Sequence, residues 1–501
     1  MPVRTRSQLV MFSSGLFIIF VIGLGFILRA SSEQPPTFHE RTDLVTGSSA
    51  LKDVGSTKAD GGTNLPPGVG ADGQYHFDDI SELLTPENHA ASNENTKIKH
   101  HEVFSNMTAD GKFFMVDFID EGSYNPNFLP HFYKEDTFVM IAQRDKQHDD
   151  NTIWNVELVC DAKFMNGKMT CVKSPMNLPI ASTMSTFCTE DMDYFNNQIG
   201  PHDARVFYGP KAPYIVWMSQ SPFNCLGQWI QDLRRITDWH RSPTTNISDP
   251  FFYPTILQRP PPYGRIEKNW YVFWDYSGEM YLHYDTTANT RVFAKLAVDG
   301  SVGPDLAPAT AAHDAQCMEK LMPKIRAKPF PEWLHQATNS LAVTLCRRAD
   351  PTCHATQDNT FILALFQTKT FYYHGVYEPY FMLFQQTAPF AVYGITTVPV
   401  WYHGRGKPHG NWTEGTTKPK DQSQMIFTTS ISWKTPGKMY HGFLDDEVLI
   451  GFGVEDQASA GMDVVMGDLL ADLETCDGKE WRVEMIQEEE DEEFAGEDIM
   501  R

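Results

Sequence analysis

The stretch NWYVFWDYSGEMYLHYD, residues Asn269 to Asp285, decides the fold. Two aromatic and β-branched runs flank a turn containing Asp275, Ser277 and Gly278. In the second run Tyr281, His283 and Asp285 alternate with Leu282 and Tyr284. A period of two marks strands, and so short a turn pairs them as an antiparallel hairpin. Similar strand-length runs recur on both sides: FFMVDFI from Phe113, TFVMIAQR from Thr137, YIVWMSQ from Tyr214, TFILALFQT from Thr360, MIFTTSISW from Met425 and VLIGFGV from Val448. Amphipathic helical spacing is expected only around Cys225–Thr237, His313–Ile325 and Asp463–Leu473. Many short strands without alternating βα units predict an all-β propeller or large sandwich. No dinucleotide-type Gly-x-Gly-x-x-Gly loop and no P-loop is present.

Outward from this core the chain changes character. Leu9–Leu28 is a twenty-residue stretch without a charge, preceded by Arg4 and Arg6 and followed by Arg29. At about 1.5 Å per residue it is long enough for a bilayer core of about 30 Å, and longer than the apolar part of a cleaved signal peptide. This predicts a cytoplasmic tail over 1–8, a transmembrane signal-anchor over 9–28 and, from its Ser/Gly/Asp/Pro-rich composition, a flexible stem over 29–100. The strand-rich domain is expected over 101–480. The remaining 481–501 carries nine acidic residues between Glu484 and Asp498 and is expected to be a disordered tail.

The 501 residues carry a net charge of −23, and clustered basic residues are missing, which argues against a nucleic-acid partner. All eight cysteines lie C-terminal to the apolar stretch. So do three Asn-x-Ser/Thr sequons, at Asn106, Asn246 and Asn411. An even cysteine count with sequons predicts an oxidising, glycosylating lumen and a single-pass type II membrane protein. Cys160/Cys171 and Cys346/Cys353 are close enough in sequence to staple a hairpin or a loop.

Two polar interruptions of β-forming sequence stand out as chemistry. In GPHDARVF, residues 200–207, Asp203 and Arg205 are two apart and can project to one side of a strand. A carboxylate beside a guanidinium suits either a general base or a sugar-hydroxyl anchor; the alternative is a structural pair closing a turn. In RIEKNW, residues 265–270, Glu267, Lys268 and Asn269 can grip hydroxyls while Trp270 stacks on a sugar face; the alternative is a solvated strand start. Asp191-Met192-Asp193 is an Asp-x-Asp of the kind that holds a metal through donor phosphates. It lacks a clear preceding strand and is a weak candidate. His335, His374, Glu378, His403 and His441 are scattered polar residues beside aromatics. Asp445, Asp446, Glu455 and Asp456 read as turn residues, one of which could reach the pocket.

Taken together, GPHDARVF…PYIVW and the later RIEKNWYVFW…MYLHYD resemble the five-bladed β-propeller of the β-mannoside phosphorylases of glycoside hydrolase family 130. They also resemble the transferase relatives of that family, including fungal β-1,2-mannosyltransferases. The likeness runs over roughly residues 110 to 477 and ends in the hairpin VLIGFGVEDQASAG, similar to the closing blade of that group. It implies Asp203 as the catalytic acid or base, and Arg205, His202, Glu267, Lys268, Asn269, Trp270, His335 and Arg405 as substrate-binding residues. The pattern departs at His202, where the family carries Glu, and at Ala204, where it carries Pro.

Anchor, stem and large luminal domain form the layout of Golgi glycosylation enzymes. The resulting expectation is a Golgi inverting glycosyltransferase moving mannose from GDP-mannose to a glycan acceptor in β-linkage. No cofactor is firmly implied and a divalent metal is not favoured. The alternatives are a β-mannoside phosphorylase or hydrolase and a non-catalytic glycan-binding propeller.

Overall fold

The computed structural model describes residues 98–149, 152–237, 249–326, 332–371, 374–413 and 422–479, all within the compact unit Asn64–Arg501. The predicted anchor at Leu9–Leu28, the stem up to residue 97, the sequon at Asn246 and the acidic tail lie outside them. Among the described residues no helix is long and apolar enough to cross a membrane.

The described residues start with two short strands, β1 (His101–Val103) and β2 (Phe114–Asp117), and then build five antiparallel meanders. The first is β3 (Ser123–Pro130), β4 (Phe138–Arg144), β5 (Glu157–Met165) and β6 (Lys168–Cys171), closed by the Cys160–Cys171 disulfide. The second is β7 (His202–Tyr208), β8 (Pro213–Gln220), β9 (Leu226–Asp232) and β10 (Thr255–Ile256). The third is β11 (Tyr271–Trp274), β12 (Met280–Thr286) and β13 (Arg291–Lys295), the hairpin expected from Asn269–Asp285. Helix α1 (Ala311–Leu321) follows. The fourth meander is β14 (Glu332–Thr344), β15 (Thr360–Phe371), β16 (Gly375–Gln385) and β17 (Val392–Thr396). Strand β18 (Val400–Tyr402) pairs in parallel with β1. The fifth meander is β19 (Ile426–Trp433), β20 (Glu447–Val454) and β21 (Ala458–Val465), and its fourth strand is the distant β2, through Met115 opposite Ala460. The result is a mostly β, propeller-like body with few helices.

The first strands β3, β7, β11, β14 and β19 are largely buried, and all but β11 carry many polar residues. β7 and β11 are sheet edges, β3 and β19 are the two edges of one continuous sheet, and β14 has a further strand partner only over Ala342–Thr344, so the remaining outer backbone groups need partners from the neighbouring meander. Side chains supply them. Asn127 of the first meander donates to Ala204 O and accepts from Val206 N of the second, both at 3.0 Å. Gln228 does the same to Trp270, at 2.7 and 2.9 Å, joining second to third. Ser340 donates to Val272 O at 2.8 Å, joining fourth to third. Asn339 brackets Ile431 and Gln367 brackets Thr428, joining fourth to fifth. Ser432 donates to Phe128 O at 2.7 Å, returning fifth to first. A Cβ on Gly451 would lie 2.2 Å from Pro126 O, so only glycine permits this last approach.

The expected helices fare unevenly. His313–Ile325 is realised as α1, shifted by a few residues. Cys225–Thr237 is strand β9 followed by a single 3-10 turn, Leu233–Arg235, because each β9 residue pairs with β8. Asp463–Leu473 keeps only the turn Met466–Leu469; its start belongs to β21. All eight cysteines are paired, adding Cys188–Cys225 and Cys317–Cys476 to the two short-range pairs.

Candidate active site

Where the first strands start, the ladders are irregular. The β3–β4 register shifts between Tyr124 and Asn127, the β7–β8 register between His202 and Arg205, and the β14–β15 register between Gln336 and Ser340. Asn125, Asp203 and Asn269 adopt left-handed backbone, at φ 58°, 50° and 63°. Such bulges re-aim side chains, and three non-glycine residues in this region mark a place where geometry is held against local preference. The bulges surround a cavity of about 730 Å³ to which every meander contributes. Tyr124, Asn125, Gln143 and Lys146 come from the first, His202, Asp203 and Met218 from the second, Lys268 and Asn269 from the third. His335, Lys369 and Tyr377 come from the fourth, Phe427 and Asp456 from the fifth.

The backbone around Asp203 is fastened on all sides. Its N–H donates to Gln143 Oε1 at 3.2 Å and its carbonyl accepts from Arg205 Nη1 at 2.7 Å. Ala204 N–H donates to Glu157 Oε1 at 3.3 Å, and Ala204 O accepts from Asn127. Asp203 therefore presents its carboxyl to the cavity from a fixed platform.

Burial pushes the Asp203 carboxyl up, but Arg205, Lys268 and His202 outweigh it and hold the group below its ordinary range. Asp456, an exposed residue at the β20–β21 turn that lines the cavity, moves the other way: partial desolvation there and then the Asp203 charge raise it, against Lys369. Two cavity carboxyls thus have affinities for protons driven apart, the condition for one to work as a base and one as an acid. Burial pushes His202 down to about 4 and His335 to about 3, so both rings are neutral near pH 7. His202 Nε2 lies 3.3 Å from the Asn155 amide. Beneath the bulge, Glu157 is buried and pushed up to about 8, first by desolvation and then by Asp203.

Of the residues expected at the site, Asp203, His202, Lys268, Asn269 and His335 line this cavity together. Four others correct the expectation. Arg205 faces away from it: Nε donates to Ala337 O, Nη1 to Asp203 O and Ala204 O, and only Nη2 is without a hydrogen-bond partner among the described residues. It touches only an adjoining space of about 10 Å³. Glu267 is turned away from the cavity into buried protein, where it makes a two-oxygen contact with Arg259 at 3.1 Å and fastens the loop through Gly264 N. Trp270 is 3% exposed, edge-on to Tyr284 at 4.9 Å, and has no face open for a sugar. Arg405 is buried against Glu378 at 3.0 Å and Trp401, at the clasp where His100 also reaches Glu378.

Asp191 and Asp193 sit on an exposed 3-10 segment, Glu190–Asn197, where Asp191 pairs with Arg265 at 2.7 Å. Among the described residues no three His, Cys, Asp or Glu side chains gather as a metal site. Asn106 and Asn411 are exposed, and Asn106 donates to Glu447 at 2.9 Å. The sequence reading does not point to Lys146, Lys369, Tyr124, Tyr377 or Phe427, and of the four turn acids, one of which could reach the pocket, it is Asp456 that lines it. Lys369 alone left a signal, as a lone cation inside the apolar run FILALFQTKTF.

No family model matches the chain and no curated protein matches it. Among solved structures, the chain is similar to a glycoside hydrolase of the GH130 mannoside phosphorylase family that targets β-1,2 mannosidic linkages in Candida mannan. Identity is 10%, covering 68% of this chain and 84% of that one, with a TM-score of 0.37. It is similar to a hypothetical protein from Leishmania major, at 12% identity over 75% and 92% of the two chains and a TM-score of 0.36. A GDP-Man-dependent mannosyltransferase from Leishmania mexicana is similar at 11% identity over 76% and 95%, with a TM-score of 0.34. At these TM-scores the likenesses carry no argument about activity.

Proposed function

We propose that the five meanders are the blades of a five-bladed β-propeller and that the chain is an inverting glycosyltransferase acting on a nucleotide sugar and a glycan acceptor. The observation that carries this reading is Asp203, ionised on a fastened bulge in a cavity also lined by Lys146, Lys268 and Lys369. A sugar diphosphate places two negative charges next to the bond that breaks, and three lysines are suited to that leaving group. In the proposed step Asp203 takes the acceptor hydroxyl proton as the acceptor oxygen bonds to the anomeric carbon. The bond from that carbon to the phosphate oxygen breaks, and its electron pair leaves with the diphosphate. One displacement turns an α-linked donor such as GDP-mannose into a β-linked product, with no covalent nucleophile. The sequence features of an anchor and an oxidising lumen put this activity on the luminal side of a secretory membrane, with the Golgi as the proposed station.

A second reading is supported by Asp456. A carboxyl whose proton affinity is raised beside one whose affinity is lowered is the kind of pairing used to cleave a glycoside, with water or orthophosphate attacking the sugar.

One experiment separates the readings. The full chain, purified in detergent, is incubated with GDP-mannose and a mannan oligosaccharide, with and without EDTA, beside Asp203→Asn. Transfer that survives EDTA and falls by about 10²–10⁴ in Asp203→Asn supports the proposal. EDTA-sensitive transfer indifferent to Asp203 sinks it and moves attention to Asp191 and Asp193. Orthophosphate-dependent release of mannose-1-phosphate selects the phosphorylase, free mannose the hydrolase, and binding without turnover a glycan-binding propeller.

A further inference from the structure

The burial of Trp270 removes the one aromatic expected to hold a sugar, yet the cavity mouth has others. Tyr194 lines the cavity and is 39% exposed. Phe187, on the same segment, is exposed, as is Phe223 in the β8–β9 loop. Phe223 stacks on Tyr263 with ring centroids 5.7 Å apart and planes inclined by 26°. Three residues beyond Phe223 and Tyr263 come Leu226 and Ile266, which line the cavity and bridge to each other. The aromatics therefore continue the cavity wall outward.

This rim is built rigidly. The Cys188–Cys225 disulfide joins the 185–197 segment to the β8–β9 loop. Ser185 Oγ donates to Asn224 O at 2.8 Å, and Gln220 Nε2 donates to Phe195 O at 2.9 Å. Arg265 ties the third segment on: Nη2 donates to Thr189 O at 3.0 Å and pairs with Asp191, while Cys225 N–H donates to Arg265 O. Exposed aromatic faces on a cross-linked frame lose little freedom when a ligand stacks on them.

We infer that this rim is the acceptor subsite, where successive sugars of a glycan chain stack on Tyr194, Phe223 and Phe187 on their way into the cavity. The inference rests on the transferase reading above for the word acceptor, but not for binding itself. The lysines lie in the cavity, so the diphosphate end of a donor belongs inside and the longer partner extends outward. A nucleobase would occupy one aromatic face; aromatics on two joined segments fit a chain of several residues. The net charge of −23 favours a neutral polymer over an anionic one.

The test compares mannohexaose with methyl mannoside, using the full chain and the variants Phe223→Ala, Phe187→Ala and Phe223→Tyr. Direct binding is measured without donor, and KM and kcat with GDP-mannose. Both Ala variants should weaken mannohexaose binding by about three- to tenfold, the scale of one aromatic contact. Methyl mannoside binding and donor KM should stay unchanged, and Phe223→Tyr should restore hexaose affinity. Equal wild-type affinity for hexaose and methyl mannoside overturns the inference. So does hexaose affinity unaltered in both Ala variants, or a loss confined to GDP binding. If no donor supports turnover while Phe223→Ala still loses hexaose affinity, the rim stands and the transferase reading falls. If hexaose affinity is untouched while Asp203→Asn abolishes transfer, the reverse holds.

Discussion

Glu157 is the most informative residue to perturb, because its proton links the bulge under Asp203 to the stability of the whole body. It is 1% exposed, and its carboxyl, ordinarily at 4.5, is pushed up to about 8. Below pH 4.5 the folded and unfolded chains both hold this proton, and the group carries no penalty. Between pH 4.5 and 8 the unfolded chain releases the proton and the folded one keeps it, so stability falls as pH rises. Above pH 8 the full cost of burying the charge is present, about 5 kcal/mol at 1.36 kcal/mol per pH unit. Glu157→Gln retains an oxygen to accept from Ala204 N–H and cannot ionise. A folded body of roughly 380 residues has an unfolding entropy near 0.8 kcal/mol per degree, so the difference is worth about 6 °C in Tm. Thermal melts of both proteins across pH 4.5–8.5 provide the assay. The two should coincide at pH 4.5 and separate progressively, with the variant about 4–6 °C higher by pH 8. Parallel curves, or a wild type that gains on the variant as pH rises, would refute the account of Glu157 as a buried neutral acid.

Two further outcomes follow from the same geometry. Because Asp203 is held below its ordinary 3.8, kcat/KM for transfer should stay level on the acid side down to about pH 4; Lys268→Ala removes one of the charges responsible and should move that limb to higher pH, read from a pH–rate profile. Asn339→Ala strands Ile431 N and O in the interior, and should lower stability by about 2–4 kcal/mol in a melt while leaving the cavity residues themselves unaltered.

The strands were legible where alternation and turn residues agree, as in Asn269–Asp285, whose pairing of Tyr271 with His283 is local. They were least legible where one pattern serves two structures. In β9 and the turn after it, Leu226, Ile230 and Leu233 fall at helical spacing, and only pairing with β8 and the Cys188–Cys225 disulfide decide for a strand. At the site, neighbours in sequence part company in space. Lys268 and Asn269 face the cavity while Glu267 and Trp270 on either side face protein, because the left-handed turn at Asn269 breaks the alternation a sequence reading assumes. Arg205 matches an anchor by spacing, yet is consumed by carbonyls of its own bulge and of Ala337, which lies 132 residues away. Lys369, Tyr377 and Asp456 reach the cavity only through the closure of the ring, which no local pattern encodes.

That closure has a consequence in time. Strand β2 is made early, and β6, its parallel neighbour, follows within about fifty residues; but its other edge waits for Ala460 and Gly461 of β21, some 345 residues later. At a synthesis rate of about 5–20 residues per second, this edge stays unpaired for roughly 20–70 s. Over that interval a row of backbone donors and acceptors is open to any other strand nearby. The body therefore cannot mature meander by meander as it is made: its closing hydrogen bonds join an early and a late strand of the described body, and a chain shortened past Val116 or halted before Gly461 would leave this closure unmade.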